Sequence, residues 1–297
     1  MKKLLFIINP VAGRRNAKTA MFDVVKVFCE EGYEVTSAIT LYKDHGKELA
    51  ASARDRGHEI VVCIGGDGTL NEVISGLMKT ADPLPLGYIA SGSTNDFART
   101  LGLNPVPAKA ARNIMLKRPT KLDVGSYENG ERYFSYIASF GAFTSTSYST
   151  PQAAKNNLGH FAYVLEGLKD LPNIKSYEVQ VKANGISYED EYIFGAVTNS
   201  RSMGGVIKLE DAKVDLSDGL FEVMLLKTPK DVIDMTDILV ALSNGTPEDS
   251  RMFEYFKASE IEFHMPRGVH WTLDGEKAPA KRQVHIKNIP RAVTMYI

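Results

Sequence analysis

The sequence predicts an α/β amino-terminal domain on a doubly wound parallel sheet, followed by an antiparallel β-rich carboxy-terminal domain, a sandwich or barrel. Three observations predict it. Strand-like and helix-like patterns alternate as far as Asp123. From Tyr133 onward short apolar–polar alternations take over, separated by glycine turns. In the first part, Asn9–Gly13, Thr40, Gly65–Thr69 and Ser91–Asp96 all fall at strand ends, where open parallel sheets bind ligands.

The elements follow in order. Leu4–Ile8 is a strand, and Asn16–Glu31 a helix with Ala20, Val24, Val27 and Phe28 on one face. Glu34–Thr40 is a strand and His45–Arg56 a helix. Glu59–Ile64, β-branched and apolar, is a buried strand, followed by a helix over Leu70–Met78. Leu86–Ala90 is a further strand, and a helix begins near Asp96. The β-rich part contains Tyr133–Ser139, Tyr177–Lys182, Glu191–Thr198, Leu220–Leu226, Ile261–His264, Trp271–Leu273 and Gln283–Ile286. Glu128-Asn129-Gly130, Ala183-Asn184-Gly185 and Ser217-Asp218-Gly219 supply turns. Helices are expected over Lys155–Leu171 and Asp231–Leu242. The domains read as 1–124 and 125–290, with 291–297 free to return to the first.

With 297 residues the chain can fill two cores. Hydrophobic residues at 44% and charged residues at 24% are ordinary for a globular protein, and a net charge of -1 argues against a nucleic-acid partner. Cys29 and Cys63 both lie in apolar patterns and read as buried hydrophobes, which fits a reducing cytoplasm. The apolar run Leu4–Ile8 ends in Asn9-Pro10, too short for a signal-peptide core, and no segment is apolar for long enough to cross a bilayer. Any membrane contact is therefore expected to be peripheral. The six histidines show no zinc spacing.

Gly65-Gly66-Asp67-Gly68-Thr69 is the most telling stretch. A strand, a glycine turn and a helix start aim backbone N–H groups and a helix dipole at an anion. Glycine lets a phosphate approach the main chain without a Cβ in the way. Asp67 inside the turn would repel phosphate unless a cation such as Mg²⁺ lies between them or it points at a neighbouring group. The chain has no G-x-x-x-x-G-K-[ST], and Gly65–Gly68 does not make G-x-G-x-x-G. The plain alternative is an ordinary βα corner. Plain alternatives also stand for Ser91–Asp96, as a helix N-cap at Asn95 or Asp96, and for Asp274-Gly275 and Asp218-Gly219, as hairpin turns.

Taken together, these segments resemble the diacylglycerol kinase catalytic-domain family, the soluble bacterial lipid kinases related to sphingosine kinases. The resemblance is carried by Asn9-Pro10-Val11-Ala12-Gly13, Gly65-Gly66-Asp67-Gly68-Thr69-Leu70-Asn71-Glu72, Gly92-Ser93-Thr94-Asn95-Asp96-Phe97-Ala98, Asp218-Gly219-Leu220-Phe221-Glu222-Val223 and Leu273-Asp274-Gly275-Glu276. It implies a first domain of the NAD kinase/phosphofructokinase-like type and transfer of the ATP γ-phosphate to a lipid hydroxyl, diacylglycerol giving phosphatidic acid in the first instance. Other lipids, or a soluble acceptor as in NAD kinases, are the alternatives. An idle nucleotide-binding regulator docked on membranes is the non-enzyme alternative.

By the same resemblance, ATP contacts map onto Asn9, Pro10, Val11, Ala12, Gly13, Thr40, Gly65 through Glu72 (Gly66, Asp67, Gly68, Thr69, Leu70 and Asn71 between them) and Ser93. The proton acceptor maps onto Glu276, with Asp274 beside it and Asp67 acting through Mg²⁺. A separate magnesium site maps onto Asp215, Asp218 and Leu220. The implied partners are ATP, a lipid at the membrane surface and, by analogy, a second copy of the chain. The family often has Asn where this chain reads Phe134-Ser135-Tyr136-Ile137, and Pro before the metal hairpin, where it reads Lys208–Ala212. Those departures bear on the acceptor side.

Overall fold

In the computed structural model, residues 2–12, 16–92, 95–116, 118–142, 144, 175–200, 202–203, 207–208 and 214–297 are described, with only the backbone at 16–20, 202–203 and 207–208. Gly13, Ser93, the expected Lys155–Leu171 helix and most of 208–212 therefore lie outside the described residues. The chain divides into two compact units, Met1–Val124 with Pro290–Ile297, and Gly125–Ile289.

In unit 1, β1 (Lys2–Ile8), α1 (Asn16–Glu30), β2 (Tyr33–Ile39), α2 (His45–Ala51), β3 (Ile60–Gly65), α3 (Asp67–Leu77) and β4 (Leu86–Ala90) alternate as expected. α4 (Asp96–Thr100) and α5 (Pro107–Leu116) follow, and β5 (Pro119–Tyr127) carries the chain into unit 2. The sheet is parallel in the order β4-β3-β1-β2. Beyond β4, Met295 and Tyr296 pair in parallel with Leu86 and Gly87. β3 and, from Leu4 onward, β1 read as apolar runs because they lie in the middle of the sheet with both faces covered. Leu4, Phe6, Ile60, Val62, Val24 and Phe28 form one core.

One boundary matters for function. α3 begins at Asp67 rather than Leu70, so Asp67, Gly68 and Thr69 form the helix's first turn. Hydrophobic periodicity starts at Leu70 and could not mark that earlier turn. Cys63 is buried, but Cys29 is exposed because it sits near the end of α1, off the face that Val24, Val27 and Phe28 bury. The expectation that both cysteines are buried is corrected there.

Unit 2 opens with the hairpin of β5 and β6 (Arg132–Phe134), and β7 (Ile137–Gly141) follows. β8 (Tyr177–Ala183) pairs with β9 (Ile186–Thr198), a strand long enough to take β8 along its first half and β7 along its second. β10 (Ser202–Met203) and β11 (Ile207–Lys208) form a small separate pair. On the other edge of β9 lies β12 (Phe221–Lys227). α6 (Val232–Asn244) starts at Asp231, whose side chain accepts from the Ile233 and Asp234 N–H groups, and ends at Gly245 with φ 72°. β13 (Phe253–Ala258), β14 (Glu260–His264), β15 (Trp271–Leu273), β16 (Glu276–Lys277) and β17 (Gln283–Tyr296) complete the chain.

All described pairings inside unit 2 are antiparallel. Its core includes Trp271, whose ring centroid lies 5.0 Å from that of Phe140 and 4.8 Å from that of Phe263. That buried tryptophan fixes β15, the strand that leads into Asp274.

Candidate active site

Unit 1 gathers its loops at the carboxyl ends of β1, β2, β3 and β4. The Asn9 amide is the strut of the first loop. Its Oδ1 accepts from Val11 N–H at 3.0 Å and Ala12 N–H at 3.3 Å, which folds the turn, while Nδ2 donates to Thr69 Oγ1 at 2.8 Å. The loop after β1 is thereby tied to the first turn of α3. Thr40, after β2, is held against β1 through its N–H to the Ile8 carbonyl at 2.8 Å.

The N-cap of α3 is Gly66, which has no side chain to accept from the first-turn amides. Ordinarily a Ser, Thr, Asp or Asn at this place answers them. The turn also presses close to the loop after β4. A Cβ on Gly92 would lie 2.6 Å from the Gly66 Cα, and one on Gly65 would collide with the Thr69 side chain. Glycine is required here for close approach of backbone to backbone.

Asn95 has φ 52° and closes the fourth loop, its side chain accepting from Gly92 N–H at 2.9 Å and donating to the Gly92 carbonyl at 2.8 Å. Asp67 Oδ2 accepts from the Asp96 N–H at 3.3 Å, so the first turns of α3 and α4 meet at that carboxylate. Arg99 Nη1 lies 3.7 Å from Asp96 Oδ1. Glu72 braces the loop after β2. Its two oxygens accept from Asp44 N–H at 2.9 Å and Gly46 N–H at 3.0 Å, holding the start of α2 onto α3. Leu70 is fully buried and serves packing.

In unit 2, the Asp274-Gly275 turn joins β15 to β16 with φ 49° and 86°, the two positive values of a type I′ hairpin. The Asp274 carboxylate is buried and accepts four hydrogen bonds: Ser135 N–H at 2.6 Å, Ser135 Oγ–H at 2.7 Å, and the Tyr136 and Ile137 N–H groups at 3.0 Å each. Burial pushes its carboxyl up, and the bonds from Ser135, Ile137 and Tyr136 pull against that shift. With both oxygens accepting from it, Asp274 holds the β6–β7 turn. Glu276 differs. Its side chain is 31% exposed, and Arg132 Nη2 stands 3.4 Å from Oε2.

The Asp215–Leu220 hairpin is organised by its own groups. Asp215 Oδ1 accepts from Ser217 N–H at 2.9 Å and Ser217 Oγ–H at 2.8 Å, and Asp218 Oδ1 from Leu220 N–H at 2.9 Å. The Lys257 ammonium lies 3.5 Å from Asp218 Oδ2 and 3.1 Å from Glu222 Oε1. Burial drives the Glu222 carboxyl up to about 7, against the pull of Lys257. Among the described residues no three His, Cys, Asp or Glu side chains converge as a metal set. A positive charge from the chain itself faces Asp218 across that turn.

Residues 3–127 match the model of the diacylglycerol kinase catalytic domain, and residues 140–297 that of the YegS C-terminal NAD kinase beta sandwich-like domain. The diacylglycerol kinase of Bacillus subtilis (strain 168) is 32% identical over 277 residues, covering 93% of this chain and 90% of the relative. The chain belongs to the diacylglycerol kinase catalytic-domain family. It is a kinase. A diacylglycerol kinase of Staphylococcus aureus (strain MRSA252) is 30% identical over 298 residues, covering 99% and 92%. Among solved structures, a protein from Bacillus anthracis str. Sterne superposes with a TM-score of 0.80 at 23% identity, covering 99% of this chain and 96% of that one. That likeness is one of fold.

Within the diacylglycerol kinase family frame, three features escaped the sequence reading. Arg132 was one basic residue among 35 Lys and Arg, with only the turn at Glu128-Asn129-Gly130 to mark its hairpin. The Ser135–Ile137 cradle is made of backbone N–H groups, which no motif encodes. Lys257 faces Glu222 through the β12–β13 register, which pairs residues far apart in sequence. No helix of the described residues is long and apolar enough to cross a membrane.

Proposed function

We propose that the protein transfers the γ-phosphoryl group of ATP to a lipid hydroxyl, with diacylglycerol as acceptor and phosphatidic acid as product. The observation that carries this is the open first turn of α3, capped only by Gly66 and braced by Asn9, in a chain so similar to kinases named for diacylglycerol. First-turn amides that no cap side chain accepts from, together with the positive end of a helix, suit a polyphosphate. Asn9–Ala12, Thr40 and the Gly65–Thr69 turn are the contacts we assign to ATP, and Gly13 and Ser93 belong to the same assignment by motif.

Phosphoryl transfer asks for positioning and charge stabilisation more than for covalent chemistry from the protein. The acceptor oxygen forms a bond to the γ-phosphorus as the bond from phosphorus to the β,γ-bridging oxygen breaks, and ADP leaves. The hydroxyl proton goes to the Glu276 carboxylate, which is partly exposed and able to meet an alcohol. Magnesium is typically held by one or two carboxylates together with substrate phosphates, so Asp67 is a sufficient share from the protein. When bound, it would neutralise phosphate charge. An acceptor embedded in a bilayer implies that the protein works at a membrane surface.

The test supplies labelled ATP with diacylglycerol, sphingosine, NAD and a sugar phosphate in parallel. Label in the organic phase with diacylglycerol is the expected result. Label that stays with a water-soluble acceptor would overturn the lipid reading, and no transfer to any acceptor would overturn the kinase reading itself.

A further inference from the structure

The segment 132–137 wraps the Asp274–Lys277 hairpin at two points. At its far end, Ser135, Tyr136 and Ile137 all donate to Asp274, as described above. At its near end, Arg132 Nη1 donates to the Lys277 carbonyl at 2.9 Å while Nη2 stands 3.4 Å from Glu276 Oε2. One arm of the guanidinium is therefore tethered to the backbone of β16, and the other meets the side chain one residue earlier. A planar fork with fixed donor directions suits that double contact better than a lysine ammonium would.

The base of Arg132 is itself pinned. It pairs with Tyr127 across the β5–β6 hairpin, whose tip carries Glu128, Asn129 and Gly130 at φ 52°, 54° and 89°. Lys281 clamps that tip, with Nζ 2.9 Å from Glu128 Oε2 and 2.8 Å from Glu131 Oε2. Glu128 Oε1 also accepts from His285 N–H at 2.7 Å. Such a frame fixes the backbone from which the guanidinium reaches β16.

We propose that Arg132 is the positioning residue of the Glu276 base. It holds the carboxylate in one rotamer, aimed to receive the hydroxyl proton. This rests on the reading of Glu276 as base, and the experiment separates the two. Its role is exerted through Glu276 and not through ATP, so substitution changes kcat and leaves the KM for ATP where it was.

The test compares wild type with Arg132→Met, Arg132→Lys and Glu276→Gln, each checked for native melting before kinetics. Arg132→Met should lower kcat about tenfold, the loss of roughly one oriented charged hydrogen bond, at unchanged KM for ATP. Arg132→Lys should recover part of that loss, and added methylguanidinium should raise the rate of the Met variant but not of wild type. Should the Met variant fail to melt as a native protein, the Lys variant decides: an intermediate kcat at unchanged KM supports the proposal, and a wild-type kcat overturns it. A raised KM for ATP at unchanged kcat in any Arg132 variant would make Arg132 a phosphate ligand and overturn it. Near-normal turnover in Glu276→Gln would remove the base reading, and this proposal with it. An inactive Glu276→Gln beside an Arg132→Met of wild-type kcat sinks the proposal alone.

Discussion

At the β3–α3 corner, Asp67 and Gly68 open a helix whose cap is a glycine, so no cap side chain accepts from its first-turn amides. At the β15–β16 hairpin, Asp274 and Gly275 close a turn, and the aspartate is answered four times over. Both are Asp-Gly steps next to a strand end. One turn has no cap side chain for its helix amides, and the other spends its acceptor capacity inside the fold. The lesson is that residue type at a turn does not settle its role; the fate of the neighbouring backbone hydrogen-bonding groups does. Glu276, the residue immediately after the closed turn, is the carboxylate of that hairpin left partly exposed to solvent.

The largest expected effect separates those two acids. Glu276→Gln should cut kcat by about 10²–10⁴-fold, the usual span for a proton acceptor, while unfolding in urea stays within about 0.5 kcal/mol of wild type. Asp274→Ala should do the reverse in kind. It strands the Ser135, Tyr136 and Ile137 donors and should cost about 3 kcal/mol of stability, read as a lower urea midpoint. If Asp274→Ala unfolds like wild type, the closed-turn description is wrong.

A third Asp-Gly turn, at Asp218, sharpens the contrast through pH. Its neighbour Glu222 titrates near 7 in the fold against 4.5 for an unburied glutamate, because burial outweighs the Lys257 partner. Between those values the unfolded chain gives up this proton first, so the folded state binds more protons. Stability should therefore fall as pH rises from 4.5 to about 7, by up to about 3 kcal/mol from this group. Urea unfolding at pH 5 and pH 8 reads the difference, and Glu222→Gln should flatten it. A wild-type stability that climbs with pH just as the Gln variant's does would contradict the buried, proton-holding Glu222.

The smallest effect tests the open corner. Asn9→Ala removes the bond to Thr69 and the two that fold the first loop, and should raise the KM for ATP by up to about tenfold, or ~1.4 kcal/mol. Its kcat should change little, since Asn9 braces binding elements and touches no proton in flight. A fall in kcat alone would move Asn9 out of the binding role.

Much of the fold was legible because periodicity reports burial. Leu4–Ile8 reads as a strand and Glu59–Ile64 as a buried one, and both lie in the middle of the unit 1 sheet. β5 and β13 were not read, although both are real. Both mix charged residues with apolar ones and lack a sustained run, so their pairing partners, not their own pattern, make them strands. β17 looked four residues long and is fourteen, because its later half takes its regularity from β4 and β5.

Of the candidate site, the motifs marked where loops and acids lie, and local chemistry explains why. A glycine step announces positive φ or close approach, and an acid next to it announces itself. Sequence alone established the α/β-then-β order, the glycine corner, the Asp-Gly turns and the family they resemble. It left Asp274 and Glu276 as near equals, with Glu72 an apparent member of the nucleotide loop. Only the tertiary structure gave Asp274 to the Ser135–Ile137 amides, Glu72 to the start of α2 and Arg132 to Glu276. Those assignments depend on desolvation and on hydrogen-bond partners more than 25 residues away, and no local pattern of residues records them.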